Sequence, residues 1–169
     1  MRVGIAGYGL AGRSFHGPLL KGTGFEVAAI LTTNSTRARQ AKEDFPLVKI
    51  VESFADLLRQ DLDLVVIATA NKAHAEQALA AIEAGIPVVI DKPAARTVAE
   101  TQAIFAAADK AAEIAALKVV TDAAAKNAAD KAAADLKAAN DKAIADAAAG
   151  QSSLHRHERH AVAICRQEF

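Results

Sequence analysis

A glycine-rich turn near the N-terminus is the first segment of this sequence whose residue types suit a particular chemistry. Residues 7–12 read GYGLAG and match a GxGxxG pattern. When such a turn joins a strand to a helix, its backbone can approach a pyrophosphate and direct N–H groups at it. The pattern therefore predicts a dinucleotide site, although a glycine turn with no ligand remains an alternative. The predicted contacts are Gly7, Gly9, Leu10, Ala11 and Gly12.

A second polar segment follows about 20 residues later, where residues 32–37 read TTNSTR. A carboxylate at this position would hold the ribose hydroxyls of NAD, and the segment contains none. Hydroxyls, an amide and an arginine suit the 2′-phosphate of NADP, so we predict NADP, with NAD as the less favoured cofactor. In the alternative interpretation, Ser35 or Thr36 caps a helix and Arg37 and Arg39 face water. The predicted contacts are Thr32, Thr33, Asn34 and Arg37.

The elements that must position these residues alternate between short apolar runs and amphipathic helical stretches over residues 1–110. This order is typical of parallel strands joined by crossover helices, and it predicts an α/β fold with a Rossmann-type doubly wound sheet. The apolar runs favour strands that are buried on both faces. The predicted strands are 3–6, 27–31, 48–51, 64–68 and 88–90, and the predicted helices are 11–21, 36–44, 54–60, 73–84 and 98–108.

Three further segments, taken with the glycine turn, resemble the N-terminal half of the Gfo/Idh/MocA family of oxidoreductases. Residues 15–20 (FHGPLL) resemble the first helix of one branch of that family. Residues 68–71 (ATAN), followed by His74, resemble its segment after strand 4. Residues 91–93 (DKP) resemble its Glu-Lys-Pro motif, with Asp in place of Glu. The resemblance covers residues 1 to about 110.

The resemblance implies a role for each of these segments. Lys92 would lie beside the nicotinamide and the reacting hydroxyl as a buried ammonium that takes part in proton transfer. Without the resemblance, Lys92 would be interpreted as a surface lysine at a strand end. The resemblance also implies cofactor contacts by Thr69, Asn71, His74, Asp91 and Lys92, and a sugar, polyol or related small molecule as substrate. It leaves the substrate itself unidentified.

The composition changes after Lys110, where 19 of the 40 residues from 111 to 150 are Ala. We therefore predict a Rossmann domain over 1–120, an Ala-rich helix over 121–150 and a polar tail over 151–169. Residues 117–121 offer a sixth strand, but nothing after them resembles the second, substrate-binding domain of the family. Charges at i,i+4 spacing favour an exposed helix, which serves either as a spacer or as a surface for another helix.

The tail contains His155, His157 and His160 at spacing that could ligate a metal, but three neighbouring arginines oppose a divalent ion, and we predict no metal site. Cys165 has no identifiable base partner for nucleophilic chemistry. A single cysteine and an N-terminus that begins in a strand pattern favour a cytoplasmic protein.

Charge restricts the partners of this chain. Residues 1–110 carry 12 basic and 12 acidic residues, and residues 111–169 carry 8 of each, so we expect neither nucleic acid nor a membrane as a partner. An oligomer remains open. The functional prediction is an NADP-dependent oxidoreductase that transfers hydride. The alternatives are a non-catalytic dinucleotide-binding module or sensor, and a structural protein that uses the Rossmann fold as a scaffold.

Overall fold

The computed structural model describes the backbone of residues 1–165 and the side chains of residues 1–145. The chain divides into two units, Met1–Ala115 and Ala116–Phe169. The first unit contains a sheet and the helices that pack against it, and the second is helical wherever it is described. None of the described helices is long and apolar enough to cross a membrane.

The sheet has five parallel strands in the order β3-β2-β1-β4-β5. The strands are β1 (Arg2–Ala6), β2 (Glu26–Leu31), β3 (Lys49–Val51), β4 (Leu64–Ile67) and β5 (Val88–Ile90). The five predicted strands are confirmed, with ends that differ by one residue at most. Because the chain runs outward from β1 on one side through β2 and on the other through β4, the order reverses at β1. A crevice for ligands is expected at the carboxyl end of that strand.

The helices follow the strands in alternation, as predicted. They are α1 (Gly17–Gly22), preceded by a π-helical turn over Gly12–His16, α2 (Ser35–Asp44), α3 (Phe54–Leu58), α4 (Asn71–Glu83) and α5 (Val98–Cys165). The side chain of Asn34 caps α2 by accepting from the N–H of Arg37 at 3.0 Å. The cap expected at Ser35 or Thr36 thus lies at Asn34. Gly85, with φ +73°, follows the C-terminus of α4, where a left-handed glycine commonly ends a helix.

Apolar side chains bury both faces of the sheet, which confirms the doubly wound arrangement. On one face Leu31, Val65 and Ile67 pack with Leu57 of α3 and Ala78 of α4. The other face includes alternate residues of the same strands, among them Ile5, Ile30 and Val66, which pack with Leu20 of α1 and Ala41 of α2. Strand β5 departs from this pattern because it lies at the sheet edge. Its Val89 is 43% exposed, whereas we expected both faces to be buried.

The region after residue 110 corrects several expectations. Residues 117–121 lie within α5 and do not form a sixth strand, because the surrounding alanines favour a helix more strongly than Val119 and Val120 favour a strand. The helix is described as far as Cys165, within the residues predicted as a polar tail, and the predicted division at residue 150 stays a prediction. Among the described side chains of residues 116–145, all are exposed and none forms an ion pair, so the predicted i,i+4 charge pairs are not made.

Candidate dinucleotide site

The turn after β1 is held against the two neighbouring strands. Gly7 has φ +92°, a conformation that side chains disfavour, and its N–H donates to the carbonyl of Leu31 at 3.0 Å. A Cβ on Gly7 would lie 2.6 Å from the carbonyl oxygen of Ala68. Glycine at position 7 therefore lets the turn touch the carboxyl ends of β2 and β4 at once.

The other two glycines of the motif have different surroundings. A Cβ on Gly12 would lie 2.1 Å from the carbonyl oxygen of Gly7, so residue 12 must be glycine for the helix to begin this close to the turn. The three atoms nearest to a Cβ on Gly9 would all belong to the guanidinium of Arg37, at 3.7 to 3.9 Å. Gly9 thus leaves space above the backbone, and Arg37 bounds that space.

A cavity of about 610 Å³ opens above this turn, at the carboxyl ends of β1, β2, β3 and β4. Its volume is in the range of small-molecule and cofactor sites. Nine of the predicted contact residues line it, together with other residues that include Tyr8, Ala68 and Ala70. The predicted residues in the lining are Gly7, Gly9, Leu10, Ala11, Thr32, Thr33, Asn34, Arg37 and Thr69.

Four polar or aromatic residues that the sequence analysis did not predict as contacts also line the cavity: Tyr8, Glu52, Phe54 and Gln77. Glu52 follows β3 directly, and the carboxyl ends of parallel strands share one edge, so its position at the end of a strand pattern was an available signal. Gln77 lies on α4 and its amide oxygen accepts from the hydroxyl of Thr69 at 2.6 Å. No sequence motif marked Gln77.

The structure places the other five predicted residues outside the cavity lining. They are Gly12, Asn71, His74, Asp91 and Lys92. Gly12 packs on the turn, and Asn71 is the first residue of α4. Lys92 follows β5 closely and its side chain is exposed, in contrast to the buried ammonium implied by the family resemblance.

His74 is 1% exposed and connects two loops. Its Nδ1 lies 2.9 Å from the carbonyl oxygen of Pro93, and its Nε2 lies 3.0 Å from the carbonyl oxygen of Thr69. A neutral imidazole can donate to only one of these acceptors, and an imidazolium can donate to both. His74 therefore faces the protein interior, where it joins the loop after β4 to the loop after β5, and the cofactor contact expected of it stays a prediction.

A second histidine touches the loop that carries Lys92. His16 Nε2, in the π-helical turn, lies 3.5 Å from Asp91 Oδ1. His16 and His74 thus contact the residues on either side of Lys92. The side chain of Lys92 itself is exposed.

Tyr8, in the glycine turn, belongs to a hydrogen-bonded network with one residue of the π-helical turn and one of α2. The buried Tyr8 hydroxyl donates to Asp44 at 2.9 Å, and Arg13 donates to the same carboxylate oxygen at 2.8 Å. Burial raises the pKa of Tyr8 above its ordinary value, and the Asp44 carboxylate raises it further. The hydrogen bond from Arg13 holds the pKa of Asp44 below its ordinary range. Tyr8 is therefore a neutral donor that fixes the middle of the turn.

The described residues contain no group of three or more His, Cys, Asp or Glu side chains that could hold a metal ion. The side chains of His155, His157, His160 and Cys165 lie outside the described residues. The prediction that they bind no metal stays a prediction.

A doubly wound parallel sheet, a GxGxxG turn after β1 and a cavity at the point where strand order reverses together define a dinucleotide-binding Rossmann domain. Comparison with known proteins identifies its family. Residues 1–119 match a family model described as "Oxidoreductase family, NAD-binding Rossmann fold", and the chain belongs to this Gfo/Idh/MocA family. The resemblance that rested on the glycine turn and on the ATAN and DKP segments is confirmed.

Several named proteins are similar to this chain. The uncharacterized oxidoreductase YdgJ of Escherichia coli is 41% identical over 110 residues, which are 64% of this chain and 31% of YdgJ. The scyllo-inositol 2-dehydrogenase (NADP(+)) IolW of Bacillus subtilis is 36% identical over 112 residues, 65% of this chain and 30% of IolW. This chain therefore spans about a third of the length of these relatives.

A solved structure shows the same likeness in three dimensions. The WlbA dehydrogenase of Bordetella pertussis, solved in complex with NADH and UDP-GlcNAcA, superimposes with a TM-score of 0.60 at 26% identity. The match covers 66% of this chain and 33% of WlbA. Because WlbA was solved with NADH while IolW is named for NADP(+), the comparisons support a nicotinamide dinucleotide without choosing between the two.

Proposed function

We propose that this chain binds NADP(H) in the cavity above the glycine turn and belongs to an oxidoreductase that transfers hydride to or from a sugar, polyol or related compound. The observation that carries this proposal is the single cavity in which the glycine turn, the polar loop after β2 and the end of β4 meet. NAD(H) is the less favoured cofactor, because no carboxylate lies in the loop after β2 and Arg37 follows that loop in the first turn of α2.

The lining fits a dinucleotide in its shape and chemistry. The open face of Gly9 leaves room for a pyrophosphate close to the backbone, where the first N–H groups of the helix attract negative charge. Arg37 borders that space and supplies a guanidinium suited to phosphate. Thr32, Thr33 and Asn34 would contact the adenosine ribose. When bound, the nicotinamide ring supplies or accepts the hydride.

Lys92 is proposed as the proton-transferring residue, because it stands in the family's motif and its two neighbours in the chain contact His16 and His74. Asp91, Asn71 and Thr69 remain proposed cofactor contacts, with Thr69 the one that lines the cavity. For an ammonium to exchange a proton with substrate, Lys92 must lose part of its solvation when cofactor and substrate bind. Because the Lys92 side chain is exposed in this structure, a bound cofactor and substrate can remove part of its solvent contact.

A non-catalytic dinucleotide-binding module is the second candidate, and a specific observation favours it. The described residues that follow the Rossmann unit, 116–145, form a helix whose side chains are all exposed. Positioning substrate beside a cofactor contributes several kcal/mol to lowering a barrier, roughly 7–11 in favourable cases. A chain without substrate-holding residues would bind NADP(H) and turn over very slowly.

Fluorescence titration of the full chain with NADPH, and then with NADH, tests the binding proposal. Gly9→Val should abolish binding while the fold is retained, because its added atoms enter the cavity, where the atoms nearest to its Cβ belong to the movable Arg37 side chain. Gly22→Val is the matched control, since a Cβ at Gly22 meets no atom within 4 Å and the residue lies outside the cavity lining. Unchanged NADPH affinity in Gly9→Val would contradict the proposed site.

A turnover screen with inositol and other polyols separates the two candidates. If the chain is a module, oxidation of polyols with NADP(+) is barely detectable and Lys92→Ala changes it little. If turnover is robust and collapses in Lys92→Ala while NADPH affinity is unchanged, the chain carries a complete catalytic site.

A further inference from the structure

We propose that Glu52 opposes Arg37 in the choice between the two cofactors, so that the chain discriminates only weakly between NADPH and NADH. The proposal rests on the dinucleotide function above and assigns the selectivity of the same cavity to two opposite charges. It changes the expectation from the sequence, which found no carboxylate in the loop after β2.

Strand register brings Glu52 to the edge where that carboxylate was missing. Strands β2 and β3 are parallel, and Leu31 pairs with Val51. The pairing continues one step further, because the N–H of Thr32 donates to the carbonyl of Val51 at 3.0 Å. Glu52 is the next residue after Val51, so it lies beside Thr32, where the adenosine ribose would contact the loop after β2. A neighbouring strand thus supplies a carboxylate at this edge of the sheet.

Both charged residues are available to a ligand. Glu52 and Arg37 both line the cavity and are exposed. Neither forms an ion pair with another side chain in the described part of the chain. A ligand that enters the cavity therefore meets a carboxylate and a guanidinium that do not neutralise each other.

The two charges act in opposite directions on the only group that distinguishes the cofactors. The 2′-phosphate of NADPH carries roughly two negative charges near neutral pH, so Arg37 attracts it and Glu52 repels it. The 2′-hydroxyl of NADH can donate to the Glu52 carboxylate, as an acidic residue at the end of β2 does in other Rossmann sites. Either residue alone would select one cofactor, and together they reduce the selectivity.

The experiment measures Kd for NADPH and NADH with wild type, Glu52→Gln and Arg37→Ala. In Glu52→Gln, we expect NADPH to bind about fivefold more tightly and NADH about as well or slightly more weakly, because one like charge near the phosphate is removed. Arg37→Ala should change the ratio in the opposite direction. Glu83→Gln is the matched control, since it removes the same charge from an exposed residue of α4 outside this cavity.

Two further measurements separate charge from structure. The NADPH gain in Glu52→Gln should shrink as salt is raised, because screening weakens a repulsion between exposed charges. Glu52→Asp keeps the charge and should retain a ratio near that of wild type. Thermal unfolding of all variants shows whether they fold.

The outcomes are distinguishable. Equal effects of Glu52→Gln on both cofactors, or no effect on either, would overturn the role of Glu52 while wild-type binding leaves the dinucleotide function standing. A wild-type preference for NADPH of several hundredfold would also overturn it. Failure of the wild type to bind either cofactor would overturn the proposed function and this inference with it.

Discussion

The two units of this chain are both rich in helix, but they differ in what their side chains contact. In residues 1–115, side chains such as Val65, Ile67 and Leu57 are buried between the sheet and its helices. In residues 116–145, every described side chain is exposed, including Leu136 and Ile144. The same secondary structure therefore forms with a core in one unit and without a core among the described residues of the other.

This difference shows which physical effect holds each helix. Helices of the first unit gain from burial of apolar area, at roughly 25 cal/mol per Å². The described part of the second unit buries no side chain, and the charge spacing that favoured helix produces no ion pairs there. Its helix depends on the intrinsic propensity of alanine, which is the highest of the amino acids. Substitutions should therefore have different effects in the two units.

Shortening an apolar side chain should have the largest effect on the free energy of unfolding, and it should have this effect only in the first unit. Leu57→Ala takes a fully buried side chain out of the core and should lower the free energy of unfolding by about 2–4 kcal/mol. Leu136→Ala makes the same chemical change at a side chain that is 73% exposed, and should stay within about 0.5 kcal/mol. Urea unfolding measures both, and equal effects would mean that the second helix is covered by a partner.

Low pH should reduce the stability of the first unit, because Asp44 accepts hydrogen bonds from Tyr8 and Arg13 in its ionised form. The pKa of Asp44 is lowered in the folded state, so its contribution to stability is present above the ordinary carboxyl value and is lost as pH falls through the folded pKa. Asp44→Ala should cost about 1–2 kcal/mol at neutral pH, because the buried Tyr8 hydroxyl loses its acceptor.

The measurement for Asp44 is denaturant unfolding between neutral pH and about pH 3, below the ordinary Asp value. Wild type should lose the advantage it holds over Asp44→Ala as pH falls. Glu43→Ala is the control, since Glu43 is a neighbour in α2 whose ion pair with Arg39 is exposed at both ends. A constant difference between wild type and Asp44→Ala across this range would contradict the assignment.

A change in helix propensity should have the smallest effect on stability, and the second unit should be the more sensitive to it. Ala133→Gly should cost the helix about 1 kcal/mol, because glycine disfavours helix and no packing at this exposed site compensates. Far-UV circular dichroism should show a loss of helicity, while the unfolding of the sheet domain stays unchanged. Ala133→Leu, which substitutes another good helix former, should retain the helicity of wild type.

The sequence predicted the sheet well because local and long-range preferences agree there. Apolar runs such as 64–68 have both the length and the residue types of buried strands. The failure at 117–121 has the opposite cause, since three β-branched residues, Val119, Val120 and Thr121, lie within an alanine-rich stretch that forms a helix. Strand β5 was predicted in place, but its exposure was not, because periodicity does not reveal which strand lies at a sheet edge.

The sequence predicted those parts of the candidate site whose residues lie close together in the chain. The glycine turn and the polar loop after β2 are contiguous motifs, and their predicted residues other than Gly12 line the cavity. Glu52 was missed because its importance depends on the register between β2 and β3. His74 was assigned a ligand contact because a motif gives residue identity, whereas the direction of its side chain depends on the carbonyls of Thr69 and Pro93.

The contacts of His74 have a consequence for sequence divergence. Both of its acceptors are main-chain oxygens, which every amino acid provides. Substitutions at positions 69 and 93 can therefore accumulate without removing either acceptor, provided that the loops keep their paths. The connection between the two loops thus depends on the side chain of residue 74 and on neither of the side chains at its two acceptors.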